Sequence, residues 1–484
     1  MNMPKVLFVS SEIAPYAKTG GLADVGSSLP KALKSAGADV ISVMPLYSSV
    51  NREKFNLTQV FQSACVHMGN CEEWYSVYKA SLSGVDTYFI EFSKYFDRSG
   101  IYHTKAGEYA DNAYRFAFFC RAAMQTAKDL KFKPDIIHCN DWQTGLIPYY
   151  IRKEEDFFFN GSKTVITIHN IGYQGIFGAD VLEYARIDIA DFHAESFESF
   201  GGVNFLKGGI AYADKITTVS PSYAQEIQGE TGGGGLHKLL SYRKYDLEGI
   251  LNGIDTEEWN PAVDRYIPRN FTAETIHLKK DNKLALQKRF MLTPDENVAL
   301  FGFVGRFAEQ KGLNLMRYAV EKALDTMVCQ FIIIGSGETE YERYFGELPA
   351  RYPSRAGSYI GYSEEAAHLL EAGADFFVMP SLYEPCGLNQ MYSLAYGTLP
   401  VVRATGGLDD TVKNYNEQTG GGTGFKFNLI DGEALYNTIG WAVSTYYDRP
   451  AHIKQMRLSA MKENFGWEKS AARYIELYKS ITAV

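Results

Sequence analysis

Residues 381–412 read SLYEPCGLNQMYSLAYGTLPVVRATGGLDDTV, and an apolar β-rich run, ADFFVMP at 374–380, leads into them. Glu384 lies in the polar turn that follows. Pro385 bends the chain there, and Gly387 permits a close backbone approach. Leu388, Met391, Tyr392 and Ala395 recur at i, i+3, i+4 and i+7, one apolar stripe of a helix. Gly397 stops that helix, and residues 399–403 begin another strand. The carboxylate of Glu384 therefore sits at the carboxyl end of a strand and just ahead of a helix N-terminus. Free N–H groups and the helix dipole hold oxygen atoms there, and ligands of α/β sheets collect at that edge. An ordinary βαβ turn with an exposed glutamate has the same local pattern, so the neighbouring segments must decide.

The same grammar repeats on both sides. Upstream, NVALFGFVG at 297–305 is a strand followed by Arg306 and Lys311 ahead of a helix, and further strands are expected at 330–335, 359–362 and 374–379. Near the N-terminus, KVLFVS at 5–10 leads to a turn with Lys18 and the pair Gly20-Gly21. A helix marked by Leu22, Val25, Leu29 and Leu33 follows, then a strand at 40–44, the usual opening of a doubly wound domain. Three more strands end in polar clusters: Asp141-Trp142-Gln143, His169-Asn170, and Ser220-Pro221-Ser222. Residues 55–91 alternate as antiparallel hairpins decorating an edge. GETGGGG at 229–235 is expected to be a mobile loop, and Asn252-Gly253 an exit turn. The tail from 469 is amphipathic, with Ala471, Tyr474, Ile475, Tyr478 and Ile481 on one face that should pack on a domain. Two similar α/β domains with a cleft between them are the natural architecture.

Bulk composition narrows the function classes. With 484 residues, 46% of them hydrophobic, the chain has ample core for several domains. A net charge of −9 gives no reason to expect nucleic acid or an anionic membrane as the main partner. Any phosphate must then be met by local cations. Aromatics make up 14%, suited to a core and to stacking on sugar rings or bases. The six cysteines form no C-x-x-C pair or zinc spacing. No signal peptide and no apolar run of membrane-spanning length is read, so a reduced, cytoplasmic enzyme or binding protein is expected. Neither G-x-G-x-x-G nor a phosphate-binding P-loop is present.

Four motifs now stand in order along nearly the whole chain. They are Lys18-Thr19-Gly20-Gly21-Leu22-Ala23-Asp24-Val25, then Ile168-His169-Asn170 with Gly172-Tyr173-Gln174-Gly175. Gly305-Arg306-Phe307 through Gln310-Lys311-Gly312 comes third. Glu384-Pro385-Cys386-Gly387-Leu388 with Gly406-Gly407-Leu408 is the fourth. Together they resemble the bacterial glycogen synthases and plant starch synthases. The resemblance implies the GT-B architecture: two Rossmann-like doubly wound α/β domains facing across a deep cleft, with a C-terminal helix crossing back to the first. The expected divisions are 1–254 (acceptor side), 255–460 (nucleotide-sugar side) and 461–484 (the returning helix). It implies a retaining glucosyltransferase that moves glucose from ADP-glucose, or UDP-glucose, to the non-reducing end of an α-1,4-glucan or maltooligosaccharide. It implies no cofactor and no metal.

The resemblance also implies roles. Arg306 and Lys311 correspond to the pair holding the diphosphate, which suits a leaving group whose negative charge grows. Lys18, Gly20 and Gly21 correspond to the loop reaching the phosphates. Glu384 corresponds to the acid beside the donor glucose, with the amides of Cys386, Gly387 and Leu388 holding sugar hydroxyls; the Cys386 thiol is not expected to be a nucleophile. His169 corresponds to the histidine near the anomeric centre, and Asp141 to an acceptor-side or sugar-contacting carboxylate. Tyr362 falls where the base stacks, and Asn252 where the family has an active-site asparagine. The sequence departs from wider GT-B glucosyltransferases in carrying Tyr392 where E-x7-E would place a second glutamate, a feature shared with the starch-synthase branch. Gln143 and Asn389 replace a common histidine and threonine. An epimerase of the same shape, a non-catalytic glucan-binding protein and a pyridoxal-dependent phosphorylase are the competing classes.

Overall fold

The computed structural model describes residues 3–104, 107–154 and 156–482. The chain divides into two compact units: Met1–Gly253 together with Trp467–Val484, and Ile254–Gly466. The last division thus falls at 466/467 rather than at 460, because the helix Pro450–Ala460 and the turn after it still belong to the second unit.

In the first unit, among the described residues, nine strands form one sheet. Its order is Leu247–Gly249, Lys215–Thr218, Lys163–Ile168, Ile136–Asn140, Lys5–Val9, Asp39–Pro45, Val85–Glu91, Cys71–Leu82, Thr58–Met68. The first seven are parallel, and the near-continuous apolar runs of the inner strands are what burial on both faces requires. The antiparallel hairpins expected at an edge stand there, Thr58–Met68, Cys71–Leu82 and Val85–Glu91, and the parallel pairing of Val85–Glu91 with Asp39–Pro45 makes them part of the main sheet. Lys5–Val9 has neighbours on both sides, to which the chain crosses in opposite directions. This is a topological switch point, which opens a crevice at the carboxyl ends of Lys5–Val9 and Ile136–Asn140.

The final helix, Trp467–Thr482, closes this unit. Trp467, Ala471, Tyr474, Ile475 and Tyr478 pack in one cluster with Val25, Leu29 and Leu33 of the helix Gly21–Ser35. This is the amphipathic face read from the tail, although Leu477 is also buried. Each fully buried large side chain there contributes about 2 kcal/mol of transfer free energy. Two polar links fix the register: Tyr478 Oη pairs with His138 Nδ1 at 2.6 Å, and Ser470 Oγ donates to the Leu251 carbonyl at 2.6 Å.

Residues 229–235 do not behave as a slack loop. The Gly233 amide donates to the Gly229 carbonyl at 2.9 Å, the Leu236 amide to the Gly233 carbonyl at 2.8 Å, and Gln174 Nε2 to the Gly234 carbonyl at 2.7 Å. Glycine here serves compactness, since main chain packs against main chain and side chain.

The second unit is a six-stranded parallel sheet in the order Ala356–Ile360, Cys329–Gly337, Ala299–Phe307, Phe376–Met379, Leu399–Arg403, Phe425–Phe427. Separate apolar clusters cover its two faces, one built on Phe301, Phe331 and Phe376, the other on Leu300, Ile332 and Phe377. Alternate residues of the same strands supply the two clusters, as the period-two side-chain alternation demands. The switch point lies between Ala299–Phe307 and Phe376–Met379. It brings the turns at 306–312 and 380–388 together although they are some seventy residues apart in sequence.

Candidate active site

At the carboxyl edge of the second unit, Lys311 Nζ donates to Glu384 Oε2 at 2.7 Å and Ser381 Oγ donates to the same oxygen at 2.9 Å. Glu384 is buried, at 6% exposure, and the Lys311 side chain is 23% exposed. A buried carboxylate is tolerated because a cation and a hydroxyl compensate its lost hydration. Three further bonds clamp the two turns. Gln310 Nε2 donates to the Tyr383 carbonyl at 3.2 Å, the Leu382 amide to the Gln310 carbonyl at 2.8 Å, and Asn389 Nδ2 to the Val304 carbonyl at 2.7 Å. Arg403 Nε donates to the Ser381 carbonyl at 2.8 Å. Arg306 lies on the same edge with its side chain exposed.

Two glycine positions are dictated by this arrangement. Gly312 has φ +69°, and a Cβ there would fall 2.0 Å from the Pro380 carbonyl oxygen. A Cβ on Gly407 would fall 1.9 Å from the Cys386 carbonyl oxygen, because the Gly407 amide donates to the Glu384 carbonyl at 3.0 Å. The pair Gly406-Gly407 is thus the floor on which the turn at 384–387 rests. Cys386 is buried and its carbonyl accepts from Gln390 Nε2 at 3.0 Å. Tyr362 lies two residues beyond the strand Ala356–Ile360 and is exposed, so it is not a core aromatic.

In the first unit the strand ends hold a second group. Asp141 follows Ile136–Asn140 with φ +55°, a left-handed conformation that a non-glycine residue adopts at a cost of about 1 kcal/mol or more. Its amide donates to the Thr167 carbonyl at 2.9 Å, and its Oδ1 accepts the His169 amide at 2.7 Å. Burial raises the Asp141 carboxyl to about 7, partly opposed by the His169 and Asn170 amides that bond it. His169 Nε2 pairs with Asn140 Oδ1 at 2.9 Å. Burial lowers its imidazole to about 3, so it is neutral at ordinary pH. Asn252 is buried, and its Oδ1 lacks a partner among the described residues.

Lys18 Nζ donates to Asp24 Oδ1 at 2.6 Å, with the lysine side chain 49% exposed. Gly20 begins the helix Gly21–Ser35 in an extended conformation, and a Cβ on it would meet no atom within 4 Å. Its lack of a side chain is therefore not a demand of the fold. Glu12, which no motif pointed to, organises this turn: it is 2% exposed, accepts Thr19 Oγ1 at 2.6 Å and Tyr102 Oη at 2.7 Å, and also accepts the Thr19 amide. Arg403 and Ser381 were likewise missed. Arg403 reaches Ser381 across 22 residues, which no local spacing signals, whereas Ser381 stands only three residues before Glu384.

Nearby in the first unit, a cavity of ≈ 310 Å³ is lined by Trp142, Gly172, Tyr173, Gln174 and Phe200, with Tyr173 and Phe200 exposed. It takes in the Gly172–Gly175 motif. No described helix is long and apolar enough to cross a membrane.

With this geometry in view, comparison with known proteins places the chain. It matches the starch synthase catalytic domain family over residues 5–242 and the glycosyl transferases group 1 family over 286–455. Two doubly wound domains, each with its polar residues at the carboxyl edge of the sheet, define a glycosyltransferase of the GT-B architecture. Among its relatives, the glycogen synthase of Treponema denticola is 43% identical over 98% of both chains, and that of Thermotoga maritima is 43% identical over 99% of both. The chain belongs to the glycogen synthase family. The catalytic domain of starch synthase IV from Arabidopsis thaliana, solved with ADP and acarbose, superposes with a TM-score of 0.92 at 31% identity over the whole of both chains. A sucrose-phosphate synthase from Thermosynechococcus elongatus, at 18% identity and a TM-score of 0.61, shares the fold.

Proposed function

We propose that the chain transfers glucose from ADP-glucose to the non-reducing end of an α-1,4-glucan, with retention of configuration and release of ADP. The observation that carries this reading is the Lys311–Glu384–Ser381 cluster on the sheet edge that also bears Arg306. ADP and acarbose, bound in the Arabidopsis starch synthase IV domain, are a nucleoside diphosphate and an α-glucan mimic, and they support the assignment of donor and acceptor classes. UDP-glucose is the alternative donor.

On this reading Arg306 and Lys311 stabilise the departing diphosphate, and Lys18 with the Gly20-Gly21 amides adds further phosphate contacts. The acceptor 4-hydroxyl attacks the anomeric carbon on the face the diphosphate leaves. The bond to the phosphate oxygen breaks as the new C–O bond forms, and the hydroxyl proton passes to a leaving phosphate oxygen. Glu384 supplies negative charge beside the oxocarbenium-like carbon, held in place by Lys311 and Ser381. The amides of Cys386, Gly387 and Leu388 hold sugar hydroxyls. His169, neutral in its enclosed site, hydrogen-bonds the donor sugar rather than acting as a cation. Asp141 and the unpartnered Asn252 Oδ1 are further sugar contacts, Tyr362 stacks the base, and the aromatic cavity at Trp142 and Tyr173 receives the glucan. The transfer needs no metal and no cofactor. A cytoplasmic setting goes with it, supported by six cysteines that are all free thiols.

A donor panel with a maltooligosaccharide primer tests the reading. ADP release coupled one-to-one to chain lengthening is expected from ADP-glucose. Free glucose without lengthening, or a preference for UDP-glucose, overturns the acceptor or the donor assignment respectively.

A further inference from the structure

We infer that the second unit carries a divalent-metal site made by Glu258, Glu364 and His368, apart from the residues assigned to glucosyl transfer. One ligand atom from each of these side chains lies within 4.8 Å of the others. Two carboxylates and one imidazole are a donor set that suits zinc or manganese.

The carboxylates alone would be an ordinary surface cluster. His368 makes the difference. Its side chain is 1% exposed, and its Nδ1 is 2.8 Å from Asp264 Oδ2. Asp264 is an acceptor throughout: Oδ1 takes the Tyr266 amide at 2.8 Å, and Oδ2 also takes the Tyr396 hydroxyl. A proton therefore sits on His368 Nδ1 and donates to Asp264. With Nδ1 engaged by Asp264, Nε2 is the ring nitrogen left to serve as a ligand atom. Nε2 is buried and has no hydrogen-bond partner. A buried acceptor without a donor is costly, and a cation on Nε2 removes that cost. Imidazole ligands to metals characteristically donate their second N–H to a carboxylate, which fixes tautomer and ring orientation; Asp264 stands in that position.

The ring is also held against rotation. Trp259 stacks on His368 at 3.9 Å and 12°, and on Tyr392 at 3.8 Å and 8°. Ligand atoms in a tetrahedral zinc site are about 3.3 Å apart, so the carboxylates must move inward. Glu258 is exposed and Glu364 part-exposed in the first turn of the helix Glu364–Gly373, so neither carboxylate is fixed within the core. An ion there would tie the segment at 258–264 to that helix and clamp the Trp259–Tyr392 stack.

The test uses the full chain, stripped with a chelator and desalted. Zn²⁺ and Mn²⁺ are titrated calorimetrically into the wild type and into Glu258→Gln and Glu364→Gln, with thermal unfolding followed in parallel. Both variants alter groups with surface exposure and leave the Asp264–His368–Tyr396 core intact, so both are expected to fold and to keep basal turnover. The wild type should take up one ion more per chain than either variant, or bind it at least about tenfold more tightly. Its unfolding temperature should rise with that ion, and the variants' should not. Uptake and thermal shift equal in all three proteins, or no saturable uptake by the wild type, overturn the proposal. A water on Nε2 predicts that second result.

Discussion

At the scale of the residue, Glu384 is held in place by its partners. Lys311→Ala removes its cation and leaves a 6%-exposed carboxylate with only Ser381. The loss of stability should be about 1–3 kcal/mol, read by denaturant unfolding. On the proposed mechanism kcat should fall at least about a hundredfold while affinity for glucan changes little. An unchanged kcat removes the phosphate role. Gly20 gives a cleaner separation. Because a Cβ there meets nothing and the backbone is already extended, Gly20→Ala should leave the unfolding temperature within a degree or so, as expected for a surface change. A rise in the KM for the nucleotide sugar would then report close approach of the donor to that backbone. Full activity would show that the turn does not touch it.

The buried titratable groups at these strand ends also make a signed prediction. His138 and His169 are held near 3 by burial, against about 6.5 when unfolded, so between those values the unfolded chain binds more protons. Their contribution is full above pH 6.5 and is lost as pH falls towards 3. Asp141, raised to about 7, works in the opposite direction between about 4 and 7. Two groups against one leave a net loss of stability on acidification from 6.5 to 4. Asp141→Asn removes the opposing contribution, so its unfolding temperature should fall more steeply with pH than that of the wild type. A shallower fall would contradict the assignment.

At the scale of the element, the short turns carry more constraint than the helices they introduce. Gly312 shows why: its left-handed φ and its 2.0 Å clearance to Pro380 are set by a neighbouring strand end, not by the helix that follows. Gly312→Ala should cost about 2 kcal/mol or more, since strain and clash add, and should displace Lys311 from Glu384. The returning helix is fixed by an apolar face and by the Tyr478–His138 pair. Tyr478→Phe keeps the face and leaves a buried imidazole nitrogen without its partner, for an expected loss of about 1–3 kcal/mol. If that variant is as stable as the wild type, the pair contributes nothing net.

At the scale of the whole molecule, the chain leaves its first unit at Gly253 and re-enters it at Trp467. Truncation after Gly466 should therefore injure the unit that is distant in sequence and spare the one that is adjacent. Calorimetry should show the transition of the first unit lowered or lost, with exposed Val25, Leu29 and Leu33 promoting aggregation, and the transition of Ile254–Gly466 retained. The reverse pattern would refute the division.

Much of this was legible in the residues. Apolar runs ending in polar clusters marked the strands and their functional edge, and four ordered motifs marked the family. Those signals are local, because side-chain periodicity and turn chemistry follow from a few consecutive residues. The order of strands in each sheet is not local. That order put the turn at 306–312 against the turn at 380–388, made Glu12 the anchor of the Lys18 turn, and drew residues 55–91 into the main sheet. Burial then gave His169 and Asp141 their protonation, and the packed fold gave His368 its partners. Desolvation depends on what the rest of the chain encloses, and no reading of neighbours along the sequence contains it.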